Sequence, residues 1–178
     1  MKWNSFEYQG TTHDLSHLDP FEWHYTTEAG KNHPETTYKF HVTFSMHCFT
    51  RKPKNGEQIA NDLWYQGPKE DRVFCFDRYV LSQQLPGIIQ DLGDRPCWHT
   101  HHGNYFTIEV ITQGGQAVDY EVYFDVTRAA RKGWLHLVVN SAYVRTADYA
   151  STQPRKRKIR LRVIAHNTQK GKPINPGK

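Results

Sequence analysis

Between positions 37 and 50 the chain alternates more cleanly than anywhere else. Tyr38, Phe40, Val42, Phe44, Met46 and Cys48 interleave with Lys39, His41, Thr43, Ser45, His47 and Phe49. Period two puts successive side chains on opposite faces, so this stretch predicts a strand with one apolar face and one polar face bearing two histidines. Residues 51–56 follow as a basic turn with Pro53 and Asn55-Gly56. A short strand is expected at 73–76. Over 78–92 the pattern changes to helix-like spacing, with Tyr79, Leu81, Leu85, Ile88, Ile89 and Leu92 as its apolar members. Pro86-Gly87 interrupts it, which predicts a kink or two short helices. Beyond 103 the chain reads as a meander: strands at 104–112, 118–127 and 134–146, a turn at 113–116 and a basic connection at 129–133. A break at 151–154 precedes a last strand at 159–165. The first 35 residues are rich in His, Asp, Pro and aromatics without a clean period. They predict one helical turn ahead of Pro20 and a turn at 32–35.

These elements make an α+β protein, mainly antiparallel sheet with a meander in the C-terminal half and one or two short helices packed on one face. The 178 residues fit a single globular domain over 1–166, and residues 167–178, with two prolines and two glycines, are expected as a flexible tail. Apolar residues are 37% of the chain but aromatics are 13%. Large rings make up for the short aliphatic supply, so long disorder is excluded. Cys48, Cys75 and Cys97 are odd in number and lack a C-x-x-C pair, which argues against a disulfide framework and for reduced thiols. The N-terminus has no apolar h-region and no segment is long enough to span a membrane, so a cytoplasmic protein is expected. The formal charge of +5 tilts the expected partner toward RNA or another polyanion.

Three features carry candidate chemistry. His99, His101 and His102 fall within four residues, a density that suits a metal, and His99-Thr100-His101 resembles the H-x-H of JAMM-type metalloproteases. The Ser-x-x-Asp of that family is not found after it. On the polar face of the early strand, His41 and His47 are about 20 Å apart. His41-Val42-Thr43 resembles half of the two-histidine phosphoesterase signature, again without its second half. In the last strand Lys156, Lys158, Arg160 and Arg162 are expected along one face, extended by Arg128, Arg131 and Lys132 from the preceding connection. Such a stripe suits a phosphate backbone or, equally, protects a sheet edge.

The order of a helical stretch, a meander and a late strand ending in Ser141-Ala142-Tyr143-Val144-Arg145 resembles, over residues 70–166, the BECR group of ribonucleases and toxins (barnase-, EndoU-, colicin- and RelE-like). The resemblance implies a metal-independent endoribonuclease that uses the 2′-hydroxyl as nucleophile and no cofactor. It brings Tyr143 and Arg145 to the site. His99, His101 or His136 would move protons and Arg145 would stabilise the phosphorane. Two other readings stand beside it. One is a non-catalytic module that binds nucleic acid, or a protein partner through Trp3, Tyr8, Phe21, Trp23 and Tyr25. The other is a metal-dependent hydrolase built on His99, His101 and His102.

Overall fold

Strand alternation governs most of the molecule. A computed structural model describes residues 1–31, 34–100, 103–113, 115–145 and 157–174. In chain order its elements are β1 (Phe6–Tyr8), β2 (Thr11–His13), β3 (Phe21–Thr27), β4 (Thr36–Phe44), β5 (Thr50–Arg51), β6 (Trp64–Gln66) and β7 (Asp71–Phe74). Helices α1 (Phe76–Ser82) and α2 (Leu85–Gln90) come next, then β8 (Cys97–His99), β9 (Tyr105–Gln113), β10 (Gln116–Arg128), β11 (Trp134–Val144), β12 (Arg157–Ile159) and α3 (Leu161–Lys170).

Seven strands form the main sheet in the order β12-β8-β9-β10-β11-β4-β3. All neighbours are antiparallel except β11 and β4, which run parallel. A three-stranded sheet (β5-β7-β6) and the β1-β2 hairpin complete the α+β fold. One face of the large sheet is the core: Phe40 and Val42 on β4, Tyr120, Val122 and Phe124 on β10, and Leu135, Leu137 and Val139 on β11 are all but fully buried. α3 packs on β10 and β11, and α2 adds Leu85, Ile88 and Ile89 to the same cluster. The other face is polar along β4, β10 and β11, as period two requires.

A bulge at Asn140 decides what the far end of β11 shows. Tyr123 opposes Ser141 while Phe124 opposes Val139, so β11 carries one extra residue. Core residues therefore change from odd positions (Leu135, Leu137, Val139) to even (Ala142), and Tyr143 turns to the polar face instead of the interior.

The sequence pattern misleads at four places. The early strand stops at Phe44: Ser45 Oγ accepts from the His47 N–H at 3.0 Å and starts a 3₁₀ turn over Met46–Cys48. His47 therefore leaves the strand face and its Nε2 meets Glu70 Oε1 at 2.8 Å. Residues 159–165 are not a strand. Ile159 ends β12, and Leu161, Ile164 and Ala165 are buried at i, i+3 and i+4 while Val163 is exposed, so a helix covers the core better than alternation would. That helix also corrects the expected tail: order runs past 167 to Lys170, where Gly171 at φ 65° ends it with Lys172 N–H bonded to the Asn167 carbonyl at 2.9 Å. Residues 175–178 lie outside the described residues. Finally, 97–99, to which the periodicity gives no element, pair with β9 as a strand.

All three cysteines are free. Burial pushes the thiols of Cys48 and Cys97 up to about 12, which makes them inert. No helix among the described residues is long and apolar enough to cross a membrane.

Candidate functional site

The polar face of the large sheet gathers its titratable groups across the parallel seam. β4 and β11 are in register so that His41 stands beside His136 and Lys39 beside Trp134, and on the outer neighbour Glu22 faces His41. The two imidazole centroids are 5.6 Å apart. His136 Nε2 and Thr43 Oγ1 are hydrogen bonded at 2.9 Å. Burial, the adjacent His41 and the chain's amino terminus hold His136 below its ordinary value, so at neutral pH its ring is uncharged and able to accept a proton.

One step along the same strands the surface becomes cationic. The Arg131 guanidinium lies 4.3 Å from the centre of the Trp134 ring and the Lys39 ammonium 5.9 Å from it. Arg131 also donates to Glu22 at 3.1 Å. Lys132 is exposed in the same loop. At the neighbouring strand end, Arg128 Nη1 is 3.5 Å from where a Cβ would stand on Gly171, between Lys170 and Lys172 at the C-terminus of α3. Gln169 Nε2 reaches the Gly133 carbonyl at 3.5 Å and ties that helix end to the β10–β11 loop. Cations from three separate stretches of chain thus meet at one end of the sheet.

The second cluster sits beyond the bulge. Arg145 Nε donates to Glu121 Oε1 at 3.0 Å, and its Nη2 to Glu121 Oε2 at 3.0 Å and to the hydroxyls of Tyr123 and Tyr143 at 3.2 Å each. Tyr123 in turn donates to Glu121 Oε2 at 2.7 Å, and its ring stacks on Tyr143 at 5.6 Å. The Glu121 side chain is 0% exposed and that of Arg145 19%. Hydrogen bonding to Glu121, opposed by burial, holds the guanidinium above its ordinary range. Burial first, then the Glu121 and Tyr143 bonds, push the Tyr123 hydroxyl up. Arg145 is therefore committed to a buried carboxylate, which makes it a fastening between β10 and β11 instead of a cation offered to phosphate.

A model of the YjaZ family matches residues 5–169 of the chain, from just before β1 almost to the end of α3. The chain belongs to the YjaZ family. It is also 34% identical over 179 residues to the protein YjaZ of Escherichia coli (strain K12), with 97% of this chain and 94% of that protein covered. No solved structure is matched significantly.

The other sequence candidates of this YjaZ-family chain fare unevenly. His99 is buried on β8 with its ring edge-on to Tyr105 at 5.3 Å, away from the His41–His136 pair's open face. His101, His102 and Lys156 lie outside the described residues. Among the described residues no three His, Cys, Asp or Glu side chains stand together as a metal centre would need. Lys158, Arg160 and Arg162 do not share a strand face: Lys158 is on the edge strand β12, Arg160 is the residue capping α3, and Arg162 is on the helix itself. The N-terminal rings are partly buried. Trp3 donates to the Phe44 carbonyl at 3.0 Å, Trp23 stacks on Phe40 at 5.2 Å, and all five rings pack against the core. His41 was visible in the sequence as a polar-face histidine, but only the parallel pairing of the distant strands β4 and β11 brings it to His136.

His17 is another histidine with a lowered pKa, through burial opposed by Asp14. Its Nε2 is 2.8 Å from Ser82 Oγ, whose own proton goes to the Tyr79 carbonyl, so His17 Nε2 carries the hydrogen. For both rings the folded pKa is below the ordinary 6.5. Between the two values the unfolded chain binds more protons, so stability is full above 6.5 and falls as pH drops through the folded values. Urea unfolding from pH 7.5 to 5 is expected to show this decline, flattened in the His17→Gln, His136→Asn double variant. An unchanged slope in that variant refutes the assignment.

Proposed function

We propose that the protein acts on RNA: the basic end of the sheet holds the sugar–phosphate backbone, and His41 and His136 move the protons of phosphodiester cleavage without a metal. The observation that carries this is the alignment of the pair with the cations. Lys39 and Trp134, the latter under Arg131, precede His41 and His136 by two residues on one face of the same two strands. Two strand residues are roughly 7 Å. A chain held at Lys39 and Arg131 is thus led directly onto the imidazoles.

In the reaction the 2′-hydroxyl attacks the adjacent phosphorus and the bond to the 5′ oxygen breaks, giving a 2′,3′-cyclic phosphate and a 5′-hydroxyl end. His136, uncharged at neutral pH, takes the 2′ proton, and His41 supplies one to the departing oxygen. Lys39 stabilises the charge that builds on the phosphorane. This keeps the chemistry that the BECR resemblance implies and the candidate His136, but gives the second proton transfer to His41 and the cationic role to Lys39.

With an RNA oligonucleotide in EDTA, cleavage to cyclic-phosphate ends is expected. His136→Asn and His41→Asn should each slow it by about 100-fold or more while binding changes little. Lys39→Gln and Arg131→Gln should weaken binding and make it less sensitive to salt. A non-catalytic nucleic-acid-binding module is the second reading, favoured by the engagement of Arg145 with Glu121. RNA that is bound in a salt-sensitive way yet stays intact decides for it; RNA that is neither bound nor cut removes both.

A further inference from the structure

A cavity of about 500 Å³ opens on the opposite side of β4 from the histidine pair, between the β3–β4 end and α3. Its volume lies within the range of small-ligand sites. Arg162, His166 and Lys170 project into it from one stripe of α3, spaced four residues apart, as i, i+4, i+8 positions must. Facing them are Tyr38 and Thr36 of β4, and Asn167 stands at the side. The Tyr38 hydroxyl is 3.5 Å from His166 Nδ1. Burial raises the hydroxyls of both Tyr25 and Tyr38 above their ordinary value, and the positive charge of Arg162 opposes this at each.

The chemistry of this lining is one-sided. Two permanent cations, an imidazole, three hydroxyls and two carboxamides are supplied, and no carboxylate lines the cavity among the described residues. Nor does Arg162, His166 or Lys170 form an ion pair there among the described residues. A convergent group of donors with unspent positive charge is matched by a compact dianion that accepts several hydrogen bonds at once.

We propose that this cavity binds a phosphomonoester group, with Arg162 as its principal contact and Tyr38, Thr36 and Lys170 completing the cradle. The proposal does not depend on RNA cleavage, since the histidine pair is on the other face of β4. The phosphate can belong to a free small molecule or to the 5′ end of an RNA, and the probes separate the two.

Adenosine 5′-monophosphate, adenosine, and a short oligoribonucleotide with or without a 5′-phosphate are titrated against the intact chain by calorimetry and thermal unfolding at constant ionic strength. Saturable binding of the monophosphate but not of adenosine is expected. Arg162→Gln should weaken it about 10- to 100-fold, the effect of losing a hydrogen-bonded charge partner. Val163→Glu, at a solvent-exposed position lining the same cavity, sets a negative charge there and should have a comparable effect in a chain that folds normally. A preference for the 5′-phosphorylated oligonucleotide over the free nucleotide assigns the site to RNA ends; the reverse assigns it to a metabolite. Equal binding of adenosine and its monophosphate, undiminished affinity in both variants, or no binding by the wild type overturns the proposal.

Discussion

Arg145→Ala is expected to cost about 3–5 kcal/mol of stability, because it takes the charge partner from a carboxylate that water does not reach. The guanidinium meets both oxygens of Glu121, whose side chain is 0% exposed, and also the two tyrosine hydroxyls that flank it. For a chain of this length the midpoint of thermal unfolding should fall by roughly 6–20 °C. Arg145→Lys should recover only part of the loss, since an ammonium cannot reproduce the two-pronged contact. Removing both charges, as in Glu121→Gln with Arg145→Met, should be milder than Arg145→Ala alone. Urea titrations of the four proteins measure this. A loss below about 1 kcal/mol for Arg145→Ala would mean that the pair is solvated and the arginine is available for other work.

Phe74→Ala should be comparably damaging, at about 3–5 kcal/mol. Its ring is 2% exposed and lies 4.0 Å centre to centre from Phe6, in stacked orientation. Phe76, Tyr79, His13 and Phe49 surround it at 5.2–6.1 Å. One side chain therefore joins the N-terminal hairpin, the small sheet and α1, and three modules lose their common contact when it is cut back. Phe74→Leu, which retains much of the volume, should cost clearly less. Equal losses for Ala and Leu would show that ring stacking, and not the filling of space, sets the stability here.

What could be seen from the sequence follows from how local each signal is. The strand of β4, the paired short helices around Pro86 and the β9–β10–β11 meander rest on periodicity within one segment, and each is present. Phe21-Glu22-Trp23-His24-Tyr25-Thr26 alternates just as well but was hidden by the irregular residues around it; it forms β3. Ile159, Leu161, Val163 and Ala165 satisfy period two, yet Leu161, Ile164 and Ala165 also satisfy the helical period, and only the core they must cover chooses between them. The site was less visible for the same reason. That His136 has His41 as neighbour, or Arg145 has Glu121, depends on register between strands, and in β11 on a bulge that reverses the facing of every residue after it.

The seam between β4 and β11 also sets a schedule for the nascent polypeptide. Thr43 and His136 touch across 93 residues, so β4 leaves the ribosome long before its partner exists. At about 5–20 residues per second the wait is roughly 5–20 s. Through that interval the oily side of β4, with Tyr38, Phe40, Val42 and Phe44, has β3 on one flank and nothing on the other. Synthesis of this protein should accordingly place a heavy demand on chaperones that shield exposed strands. Slowing translation between the two segments should lower the yield of native protein, whereas a pause after β11 has been released should not.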